Sequence, residues 1–241
     1  MTVVGRVIST ISFKGGVGKS TILSCVAVGL KRASNALVVV ADLAEDAAAT
    51  RLLAPQCTVS EGALTFVTSG GSVSACTAED GAKVDVVPPG QLGDYNVRPG
   101  VLAELVNVLR NEYNFVFLDL PGVGLTHPLI REAIEISDGF LFVLTPQSVS
   151  LVLEKIRPLL LKKPYVLVLN KWVPGLPGKY EVEALGRSKW GQASFIIEDD
   201  PKVEVAVTQG KLPCDINPRP KFAEKTDEIA AFILKVFYSP R

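Results

Sequence analysis

Along this 241-residue chain, short apolar runs alternate with stretches whose apolar residues return every three or four positions. The runs are RVISTISF, ALVVVADL, KVDVVPP, NFVFLDL, GFLFVLT, YVLVLN and ASFIIE. Several are nearly continuous rather than alternating in polarity, the pattern of strands covered on both faces. Between them Ile22, Leu23, Val26, Ala27 and Leu30 form one helical stripe, and residues 99–112, 128–137, 148–162 and 220–237 repeat the spacing. Strand and helix in alternation predict an α/β fold, a mostly parallel twisted sheet of about seven strands with helices on both faces. WVPGLPGKY, residues 172–180, predicts a long loop, because its prolines and glycines break any regular element. Residues 54–81 are rich in Ser, Thr, Gly and Ala and have no clear period. With no repeat, linker or shift in composition, a single domain over residues 1–241 is expected.

Composition narrows the class. Hydrophobic residues make up 48% of the chain, with 20 Gly and 16 Pro dispersed through it, enough for a sizeable core. No apolar run nears the ~20 residues of a membrane-spanning helix. The opening MTVVGRVISTISF lacks a charged region followed by an apolar core and a small-residue cleavage site, so a cytoplasmic protein is expected. Cys25, Cys57, Cys76 and Cys214 lie far apart without a CxxC pair, and His127 is the one histidine. A zinc or iron–sulfur site within one chain is therefore not expected, and the cysteines read as buried or idle thiols. Net charge is zero, yet from Lys155 onward there are 15 basic and 10 acidic residues against 10 and 15 before it. Such asymmetry marks either a face for DNA or anionic lipid or simply solvated surface.

SFKGGVGKST, residues 12–21, follows one apolar run and opens a helical stripe, the context in which a phosphate-cradling loop forms. Gly15, Gly16 and Gly18 would let backbone N–H groups converge on a polyphosphate at the positive end of the helix starting near Lys19. Lys19 would contact the β- and γ-phosphates, and the Ser20 hydroxyl would coordinate Mg²⁺. NFVFLDLPGVG places Asp119 at a strand end, on the ligand edge of a parallel sheet, where a carboxylate can hold the magnesium shell. In YVLVLNKW, Asn170 and Lys171 end another strand. A guanine-reading loop would carry an aspartate two positions after the lysine; Val173 stands there, which favours adenine.

The strict phosphate-loop pattern begins with glycine where this chain has Phe13. KGGVGKST instead matches the deviant Walker A loop, and the chain resembles the ParA/MinD family of partition and cell-division positioning ATPases. The resemblance implies ATP and Mg²⁺ as cofactors and a homodimer formed on ATP binding. Lys14, Gly15, Gly16, Val17, Gly18, Lys19, Ser20 and Thr21 would bind the nucleotide, with Asn170 at the base. Lys14 would reach phosphates held by the other subunit, where an added cation offsets the charge of two triphosphates. Lys14, Lys19 and Asp42 take the catalytic roles by this resemblance, and Ser20, Asp42 and Asp119 the metal roles. Asp42 opens a first switch, VVVADLAEDAAATRLL, and Asp119 a second, in which Gly122 and Gly124 would allow movement when the γ-phosphate is lost. Ala44 occupies the place of the family's second switch aspartate, which positions the attacking water. Either Glu45 or Asp46 substitutes, or the protein is a slow or nonhydrolytic switch. From FIIEDD to the final helix the likeness continues, while it fades between residues 54 and 81.

Three function classes fit these residues. A partition-type switch would use Arg187, Lys189, Arg219 and Lys221 for nonspecific contacts to duplex DNA and would have a stimulating partner protein. A membrane-cycling switch would need an amphipathic tail, but Ile229, Phe232, Ile233, Val236 and Phe237 read as a helix docked on the sheet, so membrane binding is not expected. A cofactor-maturation ATPase would present paired cysteines, and no pair is visible. The partition-type switch, with hydrolysis weak or stimulated by the partner, is the reading adopted.

Overall fold

The computed structural model describes residues 5–77, 84–90, 97–188 and 191–238. In chain order the elements are β1 (Arg6–Ile11), α1 (Lys19–Ala33), β2 (Val38–Asp42), α2 (Ala48–Leu53), α3 (Ala63–Ser69), β3 (Cys76–Thr77), β4 (Asp85–Val87), α4 (Val101–Glu112), β5 (Phe115–Asp119) and α5 (Pro128–Ile136). There follow β6 (Gly139–Leu144), α6 (Val149–Leu160), β7 (Tyr165–Trp172), α7 (Lys179–Leu185), β8 (Arg187–Ser188), β9 (Gly191–Gln192), β10 (Ser194–Glu198), α8 (Pro201–Thr208) and α9 (Lys221–Phe237).

Eight strands make one sheet in the order β10-β7-β6-β1-β5-β2-β4-β3, parallel throughout except for the antiparallel pair of β3 with β4. The continuous apolar runs are explained by burial on both sides: β2, β5 and β6 are buried at every position. Successive residues face opposite layers, so Val38 and Val40 pack with α1, α2 and α9, while Val39 and Ala41 pack with α3 to α6. The stripe on α9 belongs to the first layer. Ile229 and Ile233 are fully buried, and Phe232 meets Phe195 of β10 edge-on at 6.1 Å. Among the described residues no helix is long and apolar enough to cross a membrane.

The differences from expectation come from short elements. Three strands and four helices lacked a legible period because α2, α3, α7 and α8 have six to eight residues and β3, β8 and β9 have two each, fewer than a repeat requires. The cysteines need a correction. Folding brings Cys57 and Cys76 into a disulfide with Cα atoms 6.0 Å apart, tying the loop after α2 to the edge strand β3. Cys25 and Cys214 are buried together, and burial, with the Cys214 thiol next, pushes the Cys25 thiol well above its usual pKa. Separation along the chain hid both pairs, which form only when the sheet edge and α1 assemble.

Gly139 begins β6 where the chain passes under α9. A Cβ there would lie 2.9 Å from the Pro164 carbonyl oxygen and would also strike the Phe237 ring. Gly139→Ala should therefore destabilise the fold by about 1–3 kcal/mol in urea unfolding, the usual cost of overpacking. Unchanged stability would show that α9 packs differently.

Candidate nucleotide site

Residues 12–18 carry the chain from the end of β1 to the first turn of α1. Gly16 and Gly18 have φ of 74° and 85°, the left-handed region that a side chain disfavours. Gly15 and Gly16 face open space. Gly18 does not: the Asn170 side chain crosses it and its Nδ2 donates to the Val17 carbonyl at 2.8 Å. On the other side, a Cβ on Gly122 would lie 2.9 Å from the Gly15 nitrogen and the Lys14 carbonyl. The end of β7 and the loop after β5 thus clamp the glycine turn from two sides, leaving its N–H groups and the start of α1 toward the cleft.

Lys19 is buried, and its ammonium makes an ion pair with Asp119 Oδ1, a residue with no exposed surface. Asp119 Oδ2 is buried and accepts no hydrogen bond. An unpartnered buried carboxylate oxygen is costly unless something with positive charge or donors reaches it, which suits a magnesium ion with its water shell. Asp42 sits beside Asp119 in register on β2. Its Oδ2 accepts from the Thr50 N–H at 2.9 Å and the Thr50 hydroxyl at 2.8 Å, and Oδ1 from the Ala44 N–H at 3.2 Å. Burial, and next the Asp119 charge, push its carboxyl up to about 7 against those hydrogen bonds.

Lys19 borders a cleft of about 490 Å³. The whole run from Lys14 to Thr21 lines it, as do Asn170, Ala44, Glu45 and Asp46, so the proposed nucleotide residues converge. Asp42 and Asp119 stand behind the loop. Lys14 is exposed and makes no ion pair among the described residues. Sequence reasoning missed the far wall, where Glu198, Asp199 and Asp200 border Val203, Val207 and Phe222. Its signal was present: Asp200 caps α8 by accepting from the Lys202 N–H at 2.9 Å, and Pro201 follows it, a helix start at a strand end. Lys171 also lines the cleft, with φ of 55° where a strand would continue. Of the basic residues suggested for DNA, Arg187 lies on β8, Arg219 pairs with Asp227, and Lys221 lies 3.7 Å from Glu198. Lys189 falls outside the described residues.

Sheet order, glycine turn and the lysine–aspartate pair at its base together define a P-loop fold of the ParA/MinD class. Solved structures share the fold. The cell division ATPase MinD of Pyrococcus furiosus is 23% identical, with TM-score 0.71 over 96% of this chain and 99% of that one. A putative plasmid partition protein of Borrelia burgdorferi B31, bound to AMPPNP, is 17% identical with TM-score 0.70, over 96% and 99%. The septum site-determining protein MinD of Pyrococcus horikoshii, complexed with Mg-ADP, is 21% identical with TM-score 0.70, over 94% of each. No curated protein sequence matches the chain significantly. The chain belongs to the family described as cellulose biosynthesis protein BcsQ, whose profile matches residues 6–191.

A carboxyl raised in the folded state keeps a proton that the unfolded chain has already lost. Asp42 therefore takes stability away as pH rises from its ordinary value of 3.8 to about 7. In the nucleotide-free protein, the melting temperature of Asp42→Asn should gain on wild type over that interval and level off above it. A constant difference would mean that Asp42 is ionised throughout.

Proposed function

We propose that this protein is an ATP-dependent dimerising switch serving cellulose biosynthesis on the cytoplasmic side, and that it acts through its whole length as one domain. The family to which it belongs supports the process, and the AMPPNP and Mg-ADP carried by its structural neighbours support the ligand. One observation carries the switch: of the two lysines in KGGVGKST, Lys19 is buried on Asp119, whereas Lys14 stands exposed at the cleft mouth. Its position suits a phosphate of a second copy better than one in its own loop. Leu151, Val173, Leu176 and Tyr180 are exposed near the same sheet edge, apolar surface that a second copy would cover.

In this reading the loop N–H groups from Gly15 to Lys19 bind the polyphosphate, and Val203, Val207 and Phe222 wall the base beside Asn170. The Lys19 ammonium exchanges Asp119 for phosphate oxygens. The released Asp119 carboxylate, with the Ser20 hydroxyl, would hold Mg²⁺ through its water shell, while Thr50 and Ala44 keep Asp42 oriented behind it. When bound, ATP supplies a γ-phosphoryl group open to in-line attack by water, with Lys14 and Lys19 offsetting the charge that spreads over its oxygens. Ala44 offers no carboxylate to orient that water, so turnover is slow unless Glu45 or Asp46 moves in or a partner protein completes the site. With Arg219 and Lys221 already beside carboxylates, the basic residues give DNA partition less support than the family match gives cellulose biosynthesis.

Sedimentation velocity tests the switch. With AMPPNP and Mg²⁺ the wild type should run as a dimer. Lys14→Ala should stay monomeric while binding AMPPNP within about threefold of wild type, since its cation serves the neighbouring copy. Equal dimerisation of the two proteins would overturn the cross-subunit role.

A further inference from the structure

A second concavity, a groove of about 970 Å³, lies outside the nucleotide cleft. Its floor and walls are mainly apolar: Leu52, Leu53 and Pro55 at the end of α2, Val205 on α8, and Ile216 and Pro218 in the loop before α9. Val205 is 56% exposed on the groove side of α8. Lys202 and Lys211 also line it, both exposed and without an ion pair among the described residues. Its one acidic lining residue, Asp215, is held by Arg32 at 2.7 Å. The charge left on this surface is therefore positive.

Two helices border both concavities. On α8, Val203 and Val207 line the nucleotide cleft, whereas Lys202, Val205 and Gln209 line the groove. On α2, Ala48 lines the cleft and Thr50 holds Asp42, while Leu52 and Leu53 line the groove. A shift of either helix on nucleotide binding must alter the groove, because close-packed helices move as rigid bodies.

We infer that this groove is the docking surface for an amphipathic helical segment of a partner protein, one that carries acidic residues beside its apolar anchors. The apolar lining takes the anchors, in the manner of a helix laid in a groove, and Lys202 and Lys211 select acidic neighbours over basic ones. Resting on the nucleotide reading above, the docking is coupled to the cleft: occupancy of one site changes affinity at the other by the same factor.

The test uses three fluorescein-labelled synthetic 18-residue peptides: leucines at helical spacing with glutamates elsewhere, the same peptide with lysines for glutamates, and a scramble of the acidic one. Each is titrated with the full-length protein by fluorescence anisotropy, with and without AMPPNP and Mg²⁺, and AMPPNP binding is measured on the same samples by calorimetry. The acidic amphipathic peptide should bind at least about tenfold tighter than either control. Val205→Asp, or Lys202→Glu with Lys211→Glu, should weaken it by a similar factor with AMPPNP affinity and melting temperature unchanged in the peptide-free protein. AMPPNP should change peptide affinity by the factor by which peptide changes AMPPNP affinity. Absence of binding, equal binding of the lysine peptide, or acidic-peptide binding untouched by these substitutions would overturn the docking surface. Peptide binding insensitive to AMPPNP that itself binds would overturn the coupling. Failure of AMPPNP to bind at all, with peptide selectivity intact, would instead sink the nucleotide reading and leave the docking surface standing.

Discussion

A lysine and an aspartate one hundred positions apart, Lys19 and Asp119, form a buried ion pair at the ligand edge of the sheet. Burying two charges is expensive, and a single pair rarely repays it in stability. The fold nevertheless places them there, one on the first turn of α1 and one at the last residue of β5, with a second carboxylate, Asp42, alongside on β2. The result is an edge with an unsatisfied acceptor, Asp119 Oδ2, and a carboxyl raised by burial and then by its neighbour's charge. Such an arrangement is suited to accepting a metal and a polyphosphate, and is costly without them.

The remaining geometry of the edge serves that pair. Asn170 and Gly122 hold the glycine turn from opposite sides. Two non-glycine residues, Ala47 and Lys171, adopt left-handed backbone at φ of 49° and 55° beside the cleft. Each costs about 1–3 kcal/mol elsewhere in a fold, and strain of this kind gathers at sites where a ligand decides between conformations. Ala47 closes the turn that follows Ala44, by donating to the Ala44 carbonyl at 3.1 Å, and thereby sets the entry of α2.

Much of this was legible in the chain. Continuous apolar runs revealed the doubly covered strands, and the strand–glycine–helix order of residues 12–21 located the loop, because both are local patterns several residues long. Asp119 and Asn170 could be read because strand ends in a parallel sheet lie on one edge. What stayed hidden depends on contacts distant in sequence. Among residues 54–77 are a seven-residue helix packed against α4 and β2 and a two-residue strand paired with β4, whose order comes from those contacts and from the Cys57–Cys76 bond rather than from a period. The acidic far wall and Phe222 join the cleft only when α8 and α9 fold back over the sheet.

If Lys19 and Asp119 part to take phosphate and magnesium separately, removing the carboxylate must remove the magnesium dependence of nucleotide binding. Calorimetric titration of ATP into wild type and Asp119→Asn, each with Mg²⁺ and with EDTA, reads that dependence. Mg²⁺ should tighten ATP binding about tenfold or more in wild type and not in the variant, whose metal-free affinity should equal or exceed that of wild type because nothing holds Lys19 back. The same magnesium increment in both proteins would contradict the parting of the pair.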